Sequence, residues 1–300
     1  MQMRLLRHFL GVADRGNITA AAQALNISQP ALSKSIRQLE REVGALLFER
    51  HLHGVALTRE GEVLARRARL MELEFRHALA EISAMEHGLS GVLRVEAGPV
   101  WLTTMLPPVV AAFHHQFPRV KVRLTGGVID TMVPSLIRGD IDVICGTLDF
   151  PNHPEFVKEP LIGIRHVVIA SRRHPLLKSA GPVSAQALTA FPWIVAANDH
   201  VGISRIGSYF AANGLTPPNI VIETTSIPML KILGHGDFLA HVPEQMLQDA
   251  ARFDVVKVPH EGTFWDSPAG IAYRLTRQPV RMIESFKAIL QASLSQSEPR

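Results

Sequence analysis

Gln29, Ser33, Arg37 and Arg41 recur at every fourth position of the stretch QPALSKSIRQLER. On a helix that spacing lines up four hydrogen-bond donors along one side, with Lys34 next to them. Leu32, Ile36 and Leu39 fall at i, i+4 and i+7 and form an apolar stripe on the opposite side. A helix packed along its back and furnished with donors along its front has the layout needed to enter a major groove. There Gln and Ser pair with base edges, while Arg and Lys meet phosphate oxygens.

The flanking residues are those that would hold such a helix in place. Ser28 is placed to cap its N-terminus, and Pro30 falls in its first turn, where a missing N–H costs nothing. Asn26 sits at a tight turn and tolerates positive φ. The turn follows a short helix over ITAAAQAL, with Thr19 near its start. Upstream, Leu6, Phe9, Leu10 and Ala13 mark the apolar side of a supporting helix that Gly16 ends. Downstream of Gly44, LLFERHLHGVALT alternates loosely around Gly54, which predicts a two-stranded wing with Arg50 and His53 on or near it.

The run AAAQALNISQPALSKSIRQLE, followed by LFER and LTREG, resembles the N-terminal domain of LysR-type transcriptional regulators. The likeness is strongest from Leu5 to Gly61 and continues more loosely over the whole chain. It implies contact with double-stranded promoter or operator DNA through Thr19, Ser28, Gln29, Pro30, Ser33, Lys34, Arg37, Arg50 and His53. At the position of His53 the family often carries Arg; a histidine there is uncharged most of the time near neutral pH. The resemblance further implies a small-molecule effector, a homodimer that assembles into a homotetramer, and RNA polymerase as a candidate further partner.

Charge and composition agree with a basic head on a neutral body. Residues 1–70 hold 11 Lys/Arg and 6 Asp/Glu, net +5, whereas the remaining 20 and 21 give residues 71–300 a net −1. That excess suits phosphate binding. Hydrophobic residues make up 47% and charged residues 19%, ordinary for a globular chain without a membrane span. MQMRLLRHFL lacks the apolar core of a signal peptide. With the single cysteine, Cys145, set in the apolar segment IDVICG, this points to the cytoplasm, in association with the nucleoid.

Thr58 can cap a long helix. Along it Leu64, Ala68, Met71, Phe75, Ala78, Ile82, Met85 and Leu89 keep alternate spacings of 4 and 3, an a/d seam suited to pairing with a second chain. Gly88 to Gly91 breaks the helix and forms a hinge. Beyond it GVLRVEA, VKVRLT and IDVICG alternate with helical stretches, a βαβαβ order that predicts a parallel sheet, and a second α/β set follows. The predicted fold is an N-terminal all-α winged helix-turn-helix over residues 1–58, a linker and dimerisation helix over 59–90, and a C-terminal α/β effector-binding regulatory domain over 91–300. From the resemblance, the last is a periplasmic-binding-protein-like pair of subdomains. Subdomain I covers about 91–163 and 268–300, subdomain II about 164–267, with two crossovers making a hinged cleft.

Ligands of parallel sheets bind beyond the carboxyl ends of the strands. That rule selects Val100, Trp101, Thr103, Thr104, Thr125, Thr147, Asn198, Gly202, Thr225 and Ser226 as candidate effector-binding residues. Thr103 and Thr104 would sit at a helix N-terminus, which favours an anionic metabolite. With Gly98 and Pro99 rather than Ser or Thr, the first loop is poor in side-chain donors for the carboxylate contacts that the resemblance implies.

Other classes fare worse. There is no G-x-G-x-x-G, P-loop or G-x-S-x-G motif. His114 and His115 are adjacent and point to different faces, and His235 and His241 lack a ligand at metal spacing. No catalytic residue, cofactor or metal is expected. The alternatives are an enzyme fused to a DNA-binding head, which needs convergent acids and bases at the strand ends, and an architectural DNA-binding protein, which needs no hinged cleft.

Overall fold

The computed structural model describes residues 3–51, 54–87, 89–178, 181–276 and 280–297. Expectations that fell on His53 and Gly88 lie outside these residues, as do the side chains of Arg50 and Met85. The chain divides into two compact units, residues 1–87 and 88–300, leaving aside Ile137–Gly139.

The first unit holds α1 (Met3–Arg15), α2 (Ile18–Ala24), α3 (Gln29–Val43), an antiparallel wing of β1 (Phe48–His51) and β2 (Gly54–Leu57), and α4 (Arg59–His87). Its core is formed by Leu5, Phe9, Leu32, Leu39 and Leu47, all at 0 or 1% exposure. Each such side chain contributes roughly 1.5–3 kcal/mol on burial. The start of α4 belongs to this core. Ala65 and Ala68 are fully buried in it, and Leu64 packs against it. The seam expected along α4 therefore begins only at Met71. Met71, Phe75, Leu79 and Ile82 are 46, 44, 51 and 59% exposed. Leu89 lies beyond the helix and packs on the core of the second unit.

Gly61, in the first turn of α4, marks a close approach. A Cβ there would stand 2.1 Å from the carbonyl oxygen of Leu47. Gly61→Val is expected to destabilise the head by about 1–3 kcal/mol. Hydrogen exchange at the Val55 amide, which donates to Gly16 O at 2.8 Å, reads this out. Wild-type protection there would contradict it.

The second unit begins with β3 (Gly91–Ala97), a π-helical turn (Trp101–Met105), α5 (Leu106–Gln116), β4 (Val120–Gly126), α6 (Ile129–Arg138) and β5 (Val143–Thr147). These three strands are parallel, in the order β4-β3-β5. Next come β6 (Phe156–Ser171), α7 (Ala185–Thr189), β7 (Trp193–Ala196), α8 (His200–Ala212), β8 (Ile220–Thr224), α9 (Ser226–Leu233) and β9 (Leu239–Pro243). Then α10 (Leu247–Ala251), β10 (Val255–Lys257), β11 (Trp265–Arg274) and α11 (Arg281–Ser297) close the unit. β7 is parallel to β8 and β9, but β6 is antiparallel to β9, β10 and β11, so the second set is mixed.

The crossovers between the two halves are continuous strands. β6 and β11 run antiparallel through both, with Gly163 opposite Pro268 and Ile164 opposite Ser267. Their register shifts between Ala269 and Gly270. Gly270 is required there, because a Cβ would meet Glu159 O at 2.0 Å.

Candidate functional site

On the head, Asn17 caps α2 by accepting from the amides of Thr19 and Ala20 at 2.9 and 3.0 Å. Asn26 takes φ 53° at the turn. Ser28 caps α3 by accepting from Ala31 N, and Gly44 ends that helix in the left-handed region at φ 78°. With Leu32, Ile36 and Leu39 buried, the helix cannot roll. Its other side leaves Gln29, Pro30, Lys34, Arg37 and Arg41 exposed. Gln29 Nε2 donates to Ser33 Oγ at 3.0 Å, one turn on, so the two side chains present a joined polar edge.

In the second unit the loops after β3, β4, β5 and β7 converge with β6, β9 and β11 on a cavity of about 110 Å³. A wider rim of about 410 Å³ adjoins it, where Thr103, Thr131, Asn198 and Thr225 stand among apolar residues such as Leu102 and Ile227. The inner cavity is mostly apolar, with Val100, Trp101, Ile129, Met132, Met229 and Met246 in its walls. Trp265 stacks on His166 with centroids 4.6 Å apart and planes at 20°. The Nδ1 atoms of His166 and His241 are 3.3 Å apart, so one ring donates and the other accepts. Burial pushes both imidazoles down, His166 to about 4, and keeps them neutral. Arg205, which lines the cavity, meets Asp149 Oδ2 at 3.1 Å, and Ser267 donates its hydroxyl to the same oxygen. In the cavity lining, Trp101 Nε1 and His166 Nε2 are buried with no hydrogen-bond partner among the described residues. By contrast Trp193, in the core, donates to Leu188 O at 3.2 Å.

Residues 3–62 match the family described as "Bacterial regulatory helix-turn-helix protein, lysR family", and residues 86–295 match "LysR substrate binding domain". The chain belongs to the LysR family. It is a LysR-type transcriptional regulator, with a DNA-binding helix-turn-helix and an effector-binding domain. It is similar to the transcriptional regulator GalR of Pseudomonas putida, at 29% identity over 86% of this chain and 65% of that protein. It is also 30% identical to CysB of Burkholderia cenocepacia, over 77% of this chain and 72% of the relative. Among solved structures, full-length CbnR complexed with its target DNA superposes with a TM-score of 0.64 at 24% identity. That match covers 98% of this chain and 100% of CbnR, and shows the shared fold.

The structure sorts the expected effector residues of this LysR-type regulator. Val100, Trp101, Thr147, Gly202 and Ser226 line the inner cavity. Thr103, Asn198, Thr225 and, again, Ser226 line the rim. Thr104 and Thr125 are exposed and line neither. Thr103 donates its hydroxyl to Pro99 O at 3.2 Å, one turn back in its own segment. Sequence reasoning missed His166, His241, Trp265, Asp149 and Arg205 in the inner wall. Cys145 is fully buried, and burial raises its thiol well above the usual range, which removes the thiolate a nucleophile requires.

Proposed function

We propose that α3 enters the major groove, that two chains pair along α4, and that a small effector in the cleft sets how the paired heads engage DNA. The observation that carries this reading is α3 itself, locked to the core by three buried side chains while its polar side faces solvent. Gln29 and Ser33 read base edges at the start of the helix, flanked by Thr19, Ser28 and Pro30. Lys34 and Arg37 hold phosphate, and Arg50 and His53 on the wing extend the footprint. The similarity to a regulator solved on its target DNA supports this use of the head. Two heads related by a two-fold axis require a pseudo-palindromic operator. The functional boundaries are 1–58 for the head, 59–90 for the linker and 91–300 for the effector domain, whose halves pivot where Gly163 faces Pro268. The chain works by binding rather than catalysis, in the cytoplasm and on the nucleoid. Its effector shifts the equilibrium only by its differential affinity for the two arrangements.

The test is anisotropy on an operator duplex recovered from genomic DNA and on a random duplex, at several salt concentrations. Gln29→Ala should cost about 1–3 kcal/mol on the operator, roughly 5- to 150-fold, and nothing on random DNA. Arg37→Ala should weaken both equally and lower the salt slope by about one. An unchanged operator-to-random ratio for Gln29→Ala would remove α3 as the reader.

A further inference from the structure

The N-terminus of α8 is where an anionic effector would be expected to dock, since its first amides face the cleft and carry the positive end of the helix dipole. Those amides are already taken. Val201 N donates at 3.2 Å to Oδ2 of Asp130, which comes from α6 in the other half of the domain. Gly202 N donates at 2.9 Å to Oδ1 of Asp199. The chain has thus placed two carboxylates of its own on the anion position.

The other charged groups that line the cavity, among the described residues, are already paired. Arg205 is bound to Asp149, which also holds Ser267. Asp130 and Asp199 are compensated by the end of α8, and His166 and His241 are neutral. Burial, with the charge of Asp130 adding to it, holds the Asp199 carboxyl above its usual range, so a further anion beside it is disfavoured. The lining atoms without a partner among the described residues are the Trp101 N–H, on a side chain 1% exposed, and His166 Nε2. Both lie beside aromatic and apolar walls. The cavity of about 110 Å³ adjoins the rim of about 410 Å³, with Pro99, Gly127, Val128, Ala196 and Ser226 in the walls of both, so a single ring can lie across the two.

We propose that the inner cleft recognises an uncharged molecule of single-ring size carrying a hydrogen-bond acceptor, with Asp130 occupying the place an anionic effector would take. The ring lies along the Trp265–His166 stack and its acceptor meets Trp101 Nε1. This rests on the reading of the cleft as the effector site and replaces the expectation of an anionic ligand.

Three probes of one shape and three charges test it: benzamide, benzoate and benzamidinium, each titrated into the full chain by calorimetry. Benzamide should bind at least tenfold more tightly than either ion, and Trp101→Phe, which removes the N–H and keeps the ring contact, should weaken it about tenfold. Asp130→Ser, which vacates Val201 N, should raise benzoate affinity at least tenfold over wild type. A preference of the wild type for benzoate or benzamidinium would overturn the neutral class while leaving the cleft as the effector site. Benzamide binding that is indifferent to Trp101→Phe, or benzoate binding that is indifferent to Asp130→Ser, would overturn the assignment of those two groups. Silence of the wild type toward all three probes, together with silence of Asp130→Ser toward benzoate, would overturn the cleft reading itself.

Discussion

Ile82→Glu is expected to halve the sedimenting mass of the regulator and to reduce its affinity for a full operator by about 10²–10⁴-fold. Ile82 is 59% exposed on α4, in line with Met71, Phe75 and Leu79, and an apolar row of this kind on one helix calls for a second chain. A carboxylate placed in that seam is desolvated without a partner, which costs several kcal/mol per ion. Once the chains separate, the second head no longer binds at the effective concentration set by the first. Affinity for an isolated half-site should stay at the wild-type level, since the core of the head lies toward the other end of the helix, around Ala65 and Ala68. Phe75→Glu should act alike. Sedimentation together with anisotropy on full and half operators checks both variants. Wild-type mass with wild-type helix content would return the row to packing within one chain.

The second large effect is on pH. The unfolded His166 imidazole takes up its proton near 6.5, whereas burial pushes the folded one down to about 4. Between those values the unfolded chain binds more protons, so this contribution is complete above 6.5 and is lost as pH falls toward 4. The loss amounts to at most about 3 kcal/mol for His166 alone. His241 is lowered in the same direction by burial and by its neighbour His166, and extends the loss to more acid pH. All three tryptophans, Trp101, Trp193 and Trp265, lie in the second unit, so their fluorescence follows its unfolding without a signal from the head. Urea midpoints at pH 7.5 and 4.5 should differ strongly for the wild type. The double variant His166→Phe, His241→Phe should flatten the dependence. An equal pH slope in both proteins would contradict the assignment.

The head was legible because its signals are local. Ser28, Pro30, Asn26 and Gly44 act within a turn of where they stand, and the stripe of Leu32, Ile36 and Leu39 states which side is buried. The parallel βαβαβ order was legible for the same reason. The seam of α4 was only half legible. Its heptad spacing runs unbroken from Leu64 to Leu89, yet spacing does not reveal that Ala68 meets α1 to α3 while Ile82 meets none of the described residues' cores. The inner wall of the cleft was not legible. His166, His241 and Trp265 meet through antiparallel pairing, with His166 opposite both Pro243 and Trp265. The rule that looks beyond the ends of parallel strands passes over them. Pro160 and Gly163 further disguised β6, since each weakens an ordinary strand. Here Pro160 faces Gly270, at the register shift.

The central claim is that α3 reads an inverted repeat as part of a paired chain. Selection of binding sites from a random-sequence duplex library tests it most directly, run in parallel with wild type, Gln29→Ala and Ile82→Glu. Wild type should enrich two inverted half-sites at a fixed spacing. Gln29→Ala should lose the preference at particular bases of each half-site while keeping the spacing. Ile82→Glu should enrich single half-sites with no fixed spacing. Enrichment of one and the same motif by wild type and Gln29→Ala, or no enrichment by wild type, would contradict it.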